Sequence, residues 1–149
     1  MKLTIRHLTP ADAPLAVPLM SELGYPVAPE AFAARLAAVI GNPDDAVLVA
    51  DEGGTLVGLV AVHSFEMLHK PGRLGRITAL IVAEAARGRG VGSALMAAAE
   101  SHLRKCGCIL FEVTSAEQRT GAHSFYAAHG FHEKRVRFTK DLPLWQQQN

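Results

Sequence analysis

Apolar and polar positions along this 149-residue chain fall into segments of two distinct periods. Leu3–Leu8 alternates weakly, as a strand with one buried face does. In Thr9-Pro10-Ala11-Asp12, Thr9 can cap a helix, Pro10 suits the first helical position and Asp12 completes a capping box. A helix is therefore predicted to about Glu22, closed by Gly24-Tyr25-Pro26. A second helix starts near Pro29 with Phe32, Leu36, Val39 and Ile40 on one side, and Gly41-Asn42-Pro43 stops it. The apolar runs Ala46–Asp51 and Thr55–Phe65 flank a Glu52-Gly53-Gly54 turn and read as a hairpin. Arg76–Val82 is a β-branched run, hence a strand. Val91–Lys105 has apolar residues at 91, 95, 96, 99 and 103, which is helical spacing, and Gly107 ends it. Cys108–Thr114 reads as a buried strand, Ala122–His129 as a short helix closed by Gly130, and Phe131–Phe138 as a last strand.

The order is β-α-α-β-β-β-α-β-α-β. It predicts an α/β fold with a mixed sheet in which Arg76–Val82 and Cys108–Thr114 pair in parallel. With no repeat or linker, one domain over 1–149 is expected, its core at about 3–140. Composition narrows the class: 49% of residues are hydrophobic and 19% charged, which excludes a disordered chain. A net charge of +1 gives no general reason to expect nucleic acid or an anionic membrane as partner. No apolar run approaches the roughly 18 residues of a membrane span or has the form of a signal peptide, so a cytoplasmic protein is expected. Cys106 and Cys108 are too close in sequence for an unstrained bridge. As a lone C-x-C they are a weak metal candidate, outweighed by a packing role at a strand start, and no metal is expected.

The stretch richest in chemistry is Arg87-Gly88-Arg89-Gly90-Val91-Gly92-Ser93, between a predicted strand and a predicted helix. Alternating glycines let the backbone approach a ligand and turn several N–H groups one way. The helix that follows adds the positive end of its dipole, and two arginines add forked donors for phosphate oxygens. A Walker A loop would end Gly-Lys-Ser/Thr, but here Gly92-Ser93 lacks the lysine. A dinucleotide fingerprint would place its third glycine one residue later and open the first βα turn.

The segment Ile77–Gly92, ITALIVAEAARGRGVG, resembles motif A of the Gcn5-related N-acetyltransferase (GNAT) superfamily. Phe125-Tyr126-Ala127-Ala128-His129-Gly130-Phe131 resembles that family's later F-Y-x-x-x-G-F motif. The order of elements is similar too, over about residues 3–140. The resemblance implies a GNAT-like mixed central sheet flanked by helices, with a splayed parallel strand pair in the middle that holds acetyl-CoA. It implies that the backbone of Leu80, Ile81 and Val82 pairs with the pantetheine arm and that an N–H there polarises the thioester carbonyl. By the same resemblance the amides of Arg87, Gly88, Arg89, Gly90, Val91, Gly92 and Ser93 hold the pyrophosphate. Tyr126 matches the family's general acid: a phenol of pKa near 10 can protonate a departing thiolate whose own thiol lies near 8.5. Arg119 stands where many members have a cofactor-contacting Asn, and it either contacts the cofactor or faces water.

Attack by an ammonium also needs a base, for which the candidates are Glu66, His63 and Glu112. Glu112 faces opposite to Phe111 and Val113, into the gap or to solvent. The resemblance thus implies an N-acetyltransferase that moves an acetyl group from acetyl-CoA to a primary amine of a small molecule or peptide. Its alternative is a catalytically silent acyl-CoA sensor of the same fold. The acceptor is implied to be set by Pro10–Gly41 and Glu66–Leu74, and a homodimer is compatible with the family.

Overall fold

The structure, a computed structural model, describes residues 2–114, 120–133 and 138–143. It comprises two compact units, Met1–Ser115 and Ala116–Asn149.

The first unit is built on a five-stranded sheet in the order β1-β2-β3-β4-β5. Strands β1 (Leu3–His7), β2 (Asp45–Glu52), β3 (Thr55–Glu66) and β4 (Arg73–Val82) are antiparallel neighbours. β5 (Cys108–Val113) runs parallel to β4, as the order of elements predicts. α1 (Ala13–Leu23) and α2 (Pro29–Ile40) lie between β1 and β2, and α3 (Val91–Lys105) crosses from β4 to β5. None of the helices described is long and apolar enough to cross a membrane.

The first helix opens as anticipated at Thr9. A 3-10 turn over Pro10–Asp12 precedes α1, and the Asp12 carboxylate accepts hydrogen bonds from the Thr9 amide (2.8 Å) and hydroxyl (2.9 Å). Arg6 grips the same carboxylate with both terminal nitrogens, at 2.8 and 2.9 Å. The guanidinium beside it holds the buried Asp12 carboxyl well below the usual carboxylate range. β1 is thereby tied to the start of α1.

Apolar burial on each side of the sheet follows strand periodicity. Val47, Val49, Leu59 and Ile81 pack with Ala16 and Leu19 of α1 and with Phe32 and Leu36 of α2. On the other side, Val91, Leu95, Met96, Ala99 and Leu103 of α3 are all buried, the five positions that its period marks. Glycine lets α3 approach. A Cβ on Gly58 would stand 2.8 Å from Leu95 Cδ1, and one on Gly75 would stand 2.5 Å from Leu103 Cδ1. No real Cβ tolerates such contacts, so the sheet meets the helix through bare backbone at both points.

Three features depart from expectation. β4 begins at Arg73, three residues before the predicted Arg76. β5 is not buried throughout: Ile109 and Leu110 are exposed, because among the described strands β5 is the sheet's edge and has a neighbour on one side only. Cys106 and Cys108 are half-buried free thiols, and burial pushes the Cys108 thiol up. In the second unit, α4 (Thr120–Ala128) covers most of the predicted Ala122–His129 helix, and Gly130 follows at φ 87°. Of the predicted strand Phe131–Phe138, residues 131–133 and 138 adopt no regular element, and 134–137 lie outside the described residues. Arg119 also lies outside them.

Candidate active site

The decisive local event is an extra residue in β4. Ala61 faces Ala79 and Val62 faces Ile77, so Thr78 is a bulge. Its hydroxyl donates to the Ala61 carbonyl at 3.2 Å. β5 accompanies β4 only up to that point: the parallel register runs from Arg73↔Cys108 to Ile77↔Val113 and stops. From Thr78 to Val82, β4 keeps β3 on one side and has lost β5 on the other. Among the described strands, Leu80, Ile81 and Val82 therefore sit on an open edge inside the sheet. Such an edge offers backbone donors and acceptors to anything strand-like that enters.

The open edge leads directly into the glycine-rich loop. Ala83 is fixed by an N–H bond to Val57 O (2.9 Å), and the Glu84 amide donates to Glu22 Oε1 at the end of α1 (2.9 Å). A 3-10 turn over Glu84–Ala86 then carries the chain to Arg87. Gly88 and Gly90 adopt φ 79° and 82°, the left-handed region that a side chain resists. A Cβ at either would meet nothing within 4 Å, so conformation, and not crowding, demands glycine, and the space above the loop is open. Gly92 is different: it lies within α3. The helix has no side-chain cap at Gly90, and its first backbone bond runs from Ala94 N–H to Gly90 O (3.0 Å). The amides of Val91 and Gly92, in the opening turn, thus have no carbonyl one turn back in the helix, and the helix dipole adds positive potential there. An anion can bind at such a place. These residues fit a diphosphate.

The two arginines of the loop are turned onto the protein. Arg87 Nε donates to Val82 O at 3.2 Å, and Arg89 forks onto the Glu52 carboxylate at 3.1 and 3.2 Å. Arg89 remains half exposed, so an incoming phosphate would compete with Glu52 for it.

The polar groups gather elsewhere on the sheet, on the face that α1 and α2 cover. On β3 this face is written Leu59, Ala61, His63, Phe65. Leu59 is buried in the core and Ala61 packs at its margin, whereas His63 and Phe65 are only partly covered. The helical cover ends between Ala61 and His63. Beyond it lie Asp45, His63, Phe65, Arg76 and Glu112, contributed by four strands. Register pairs Asp45 with His63, His63 with Arg76, and Arg76 with Glu112. His63 Nδ1 is 2.7 Å from Asp45 Oδ1. Arg76 forms an ion pair with Glu112, and its guanidinium lies 5.3 Å from the centre of the Phe65 ring, which stacks on His63. Of the predicted carboxylates, Glu112 thus belongs to this row, at the mouth of the splay. Glu66 sits at the end of β3 and binds Arg73 at 2.8 Å. Arg73 is itself a node, reaching Asp44, Ser64 O and Ser64 Oγ at 2.8, 3.1 and 3.1 Å.

In the second unit, Tyr126 lies on α4 within an aromatic group. Its ring centre is 5.6 Å from Phe125 and 5.9 Å from Phe131, both edge-on, and Phe131 N–H bonds back to Tyr126 O at 3.0 Å. The two motif phenylalanines therefore brace the tyrosine. Sequence reasoning placed His63 only as one of three alternatives and did not mark Asp45 or Arg76. Strand parity along β3 carries the signal for the face on which His63 stands, but the partners are 18 and 13 residues away.

A family model described as the acetyltransferase (GNAT) family matches residues 15–131. An aminoalkylphosphonate N-acetyltransferase of Salmonella typhimurium is 34% identical over 143 residues, covering 93% of this chain and 90% of that protein. Glucosamine 6-phosphate N-acetyltransferase 1 of Oryza sativa subsp. japonica is 36% identical over 118 residues, covering 74% and 68%. Among solved structures, an aminoglycoside N-acetyltransferase in complex with CoA shares the fold, with a TM-score of 0.84 at 19% identity and coverage of 94% and 95%. With its parallel pair opened at a bulge, its glycine loop at a helix start, and a family match over most of its length, the chain belongs to the GNAT acetyltransferase family.

Proposed function

We propose that this chain transfers the acetyl group of acetyl-CoA to the primary amine of a small molecule that also carries a phosphonate or phosphate. The observation that carries the transfer is the open edge of β4 from Thr78 to Val82, which leads into the left-handed Gly88 and Gly90. A thioester cosubstrate with a strand-like arm and a diphosphate suits both parts. Leu80, Ile81 and Val82 would pair with the arm, while the amides of 88–92 would hold the diphosphate; that of Arg87 is already given to Glu84 O at 3.3 Å. An amide of the open edge would stabilise the oxyanion as the amine attacks. Tyr126 would donate a proton to the departing sulfur.

The acceptor class draws support from the two relatives, named for an aminoalkylphosphonate and a sugar phosphate. It also draws support from the guanidinium of Arg76 on the polar face, since arginine is suited to planar, forked recognition of phosphorus oxyanions. The test is thiol release from acetyl-CoA with a short aminoalkylphosphonate, glucosamine 6-phosphate, an aminoglycoside and a lysine peptide. Turnover with one of the first two, at least about tenfold better in kcat/KM than with the others, is the expected result. Tyr126→Phe should lower kcat about 100-fold while leaving CoA affinity unchanged. CoA binding without turnover on any amine would instead favour an acyl-CoA sensor.

A further inference from the structure

We propose that His63, oriented by Asp45, is the group that takes the proton from the acceptor's ammonium; this rests on the acetyl-transfer reading above. A carboxylate can only accept, so at 2.7 Å from Asp45 Oδ1 the imidazole Nδ1 carries the hydrogen. In the neutral ring Nε2 then keeps its lone pair, which is the arrangement a base requires. The side chain is one-third exposed, enough to meet a solute, while Asp45 is more covered and fixed in the strand. The ring is held from a second side by stacking on Phe65, with centres 5.7 Å apart.

Position favours His63 over the carboxylates. It stands where the cover of α1 and α2 ends, in register with Arg76, two residues before the bulge that opens the sheet. Glu112 and Glu66 are each tied to an arginine, so protonating either would break an ion pair. Arg76 itself is held by Glu112 and by the Phe65 ring. Among the described residues, His63 is the member of this row whose second ring nitrogen is left as an acceptor once Asp45 has fixed the other.

The step balances as follows. The ammonium gives one proton to Nε2, and the freed nitrogen lone pair forms a bond to the thioester carbonyl carbon. The C–S bond then breaks with its electron pair going to sulfur. The nitrogen's second proton leaves and one proton reaches the thiolate, while His63 returns its proton to water. Asp45 is a positioning residue in this scheme, and Nε2 alone meets the substrate.

The test compares two acceptors with the full chain: an aminoalkylphosphonate, which is an ammonium at neutral pH, and its aminooxy counterpart, whose nitrogen arrives without the extra proton. His63→Ala should lower kcat/KM about 100-fold on the first and well under tenfold on the second, with exogenous imidazole restoring part of the loss. Asp45→Asn should show the same pattern at about tenfold. An unchanged thermal shift with CoA reports that each variant keeps its fold. If His63→Ala does not fold, His63→Gln and Asp45→Asn carry the comparison. Equal losses on both acceptors, or a loss on the ammonium below about threefold, overturn the assignment of His63. A wild-type protein that binds CoA but acetylates neither acceptor overturns the acetyl-transfer reading itself, and the two failures are thereby distinct.

Discussion

The two halves of β4 have the same neighbour on one side and differ on the other. From Arg73 to Ile77 the strand is held by β3 and β5 together; from Thr78 to Val82 it is held, among the described strands, by β3 alone. One inserted residue separates them. In the first half the backbone is consumed by the sheet, and side chains such as Arg73 and Arg76 make the local chemistry. In the second half one side of the backbone is left open by β5, and the side chains, Ile81 above all, serve the core. A single strand thus differs along its length in which of its groups are already paired.

A glycine of the first half and one of the loop beyond the second half test this division. Gly75, in the doubly paired half, makes room for Leu103, so Gly75→Val should cost about 3 kcal/mol of stability by overpacking. Chemical denaturation should read that loss, and CoA affinity per folded molecule should be unchanged. Gly90 is needed for its left-handed backbone, where a β-branched residue costs about 1–2 kcal/mol. Gly90→Val should therefore weaken CoA binding about tenfold, read by calorimetry, while lowering stability by no more than that strain, less than Gly75→Val does. If Gly90→Val unfolded the protein and Gly75→Val spared it, the division would be wrong. The smallest effect should come from Glu52→Gln. An exposed pair is worth at most about 1 kcal/mol, so freeing Arg89 should tighten CoA about threefold. A looser complex would mean that Glu52 orients Arg89 instead of competing for it.

Much of the fold was legible because its signals are local. α3 spans Val91–Lys105 as read, since five apolar positions at helical spacing and Gly107 at φ 84° bound it on both sides. The start of β4 was missed because Arg73 and Gly75 interrupt the apolar run. Gly75 owes its place to Leu103, 28 residues later, which no local pattern reveals. The bulge at Thr78 was equally invisible, since an inserted residue is defined only by the partner strand. The exposure of Ile109 and Leu110 was misread for a related reason, as sheet order sets it. At the site, the glycine loop could be read directly because its chemistry is backbone chemistry and its residues are contiguous. Asp45, His63, Arg76 and Glu112 come from four strands, and their row exists only once register is known.

Gly58 carries a consequence for the energetics of ligand entry. Its bare Cα lets Val91 and Leu95 settle against β3, opposite the Ile81 carbonyl on the neighbouring strand. The helix start and the open edge therefore both pack at the same point of β3. If the cosubstrate spans them as proposed, both anchor points are already packed together, and association would need little ordering of the chain. On the proposed reading such a gap would work as a gauge: it would reward an arm of the matching length and give a shorter thioester only one of the two grips.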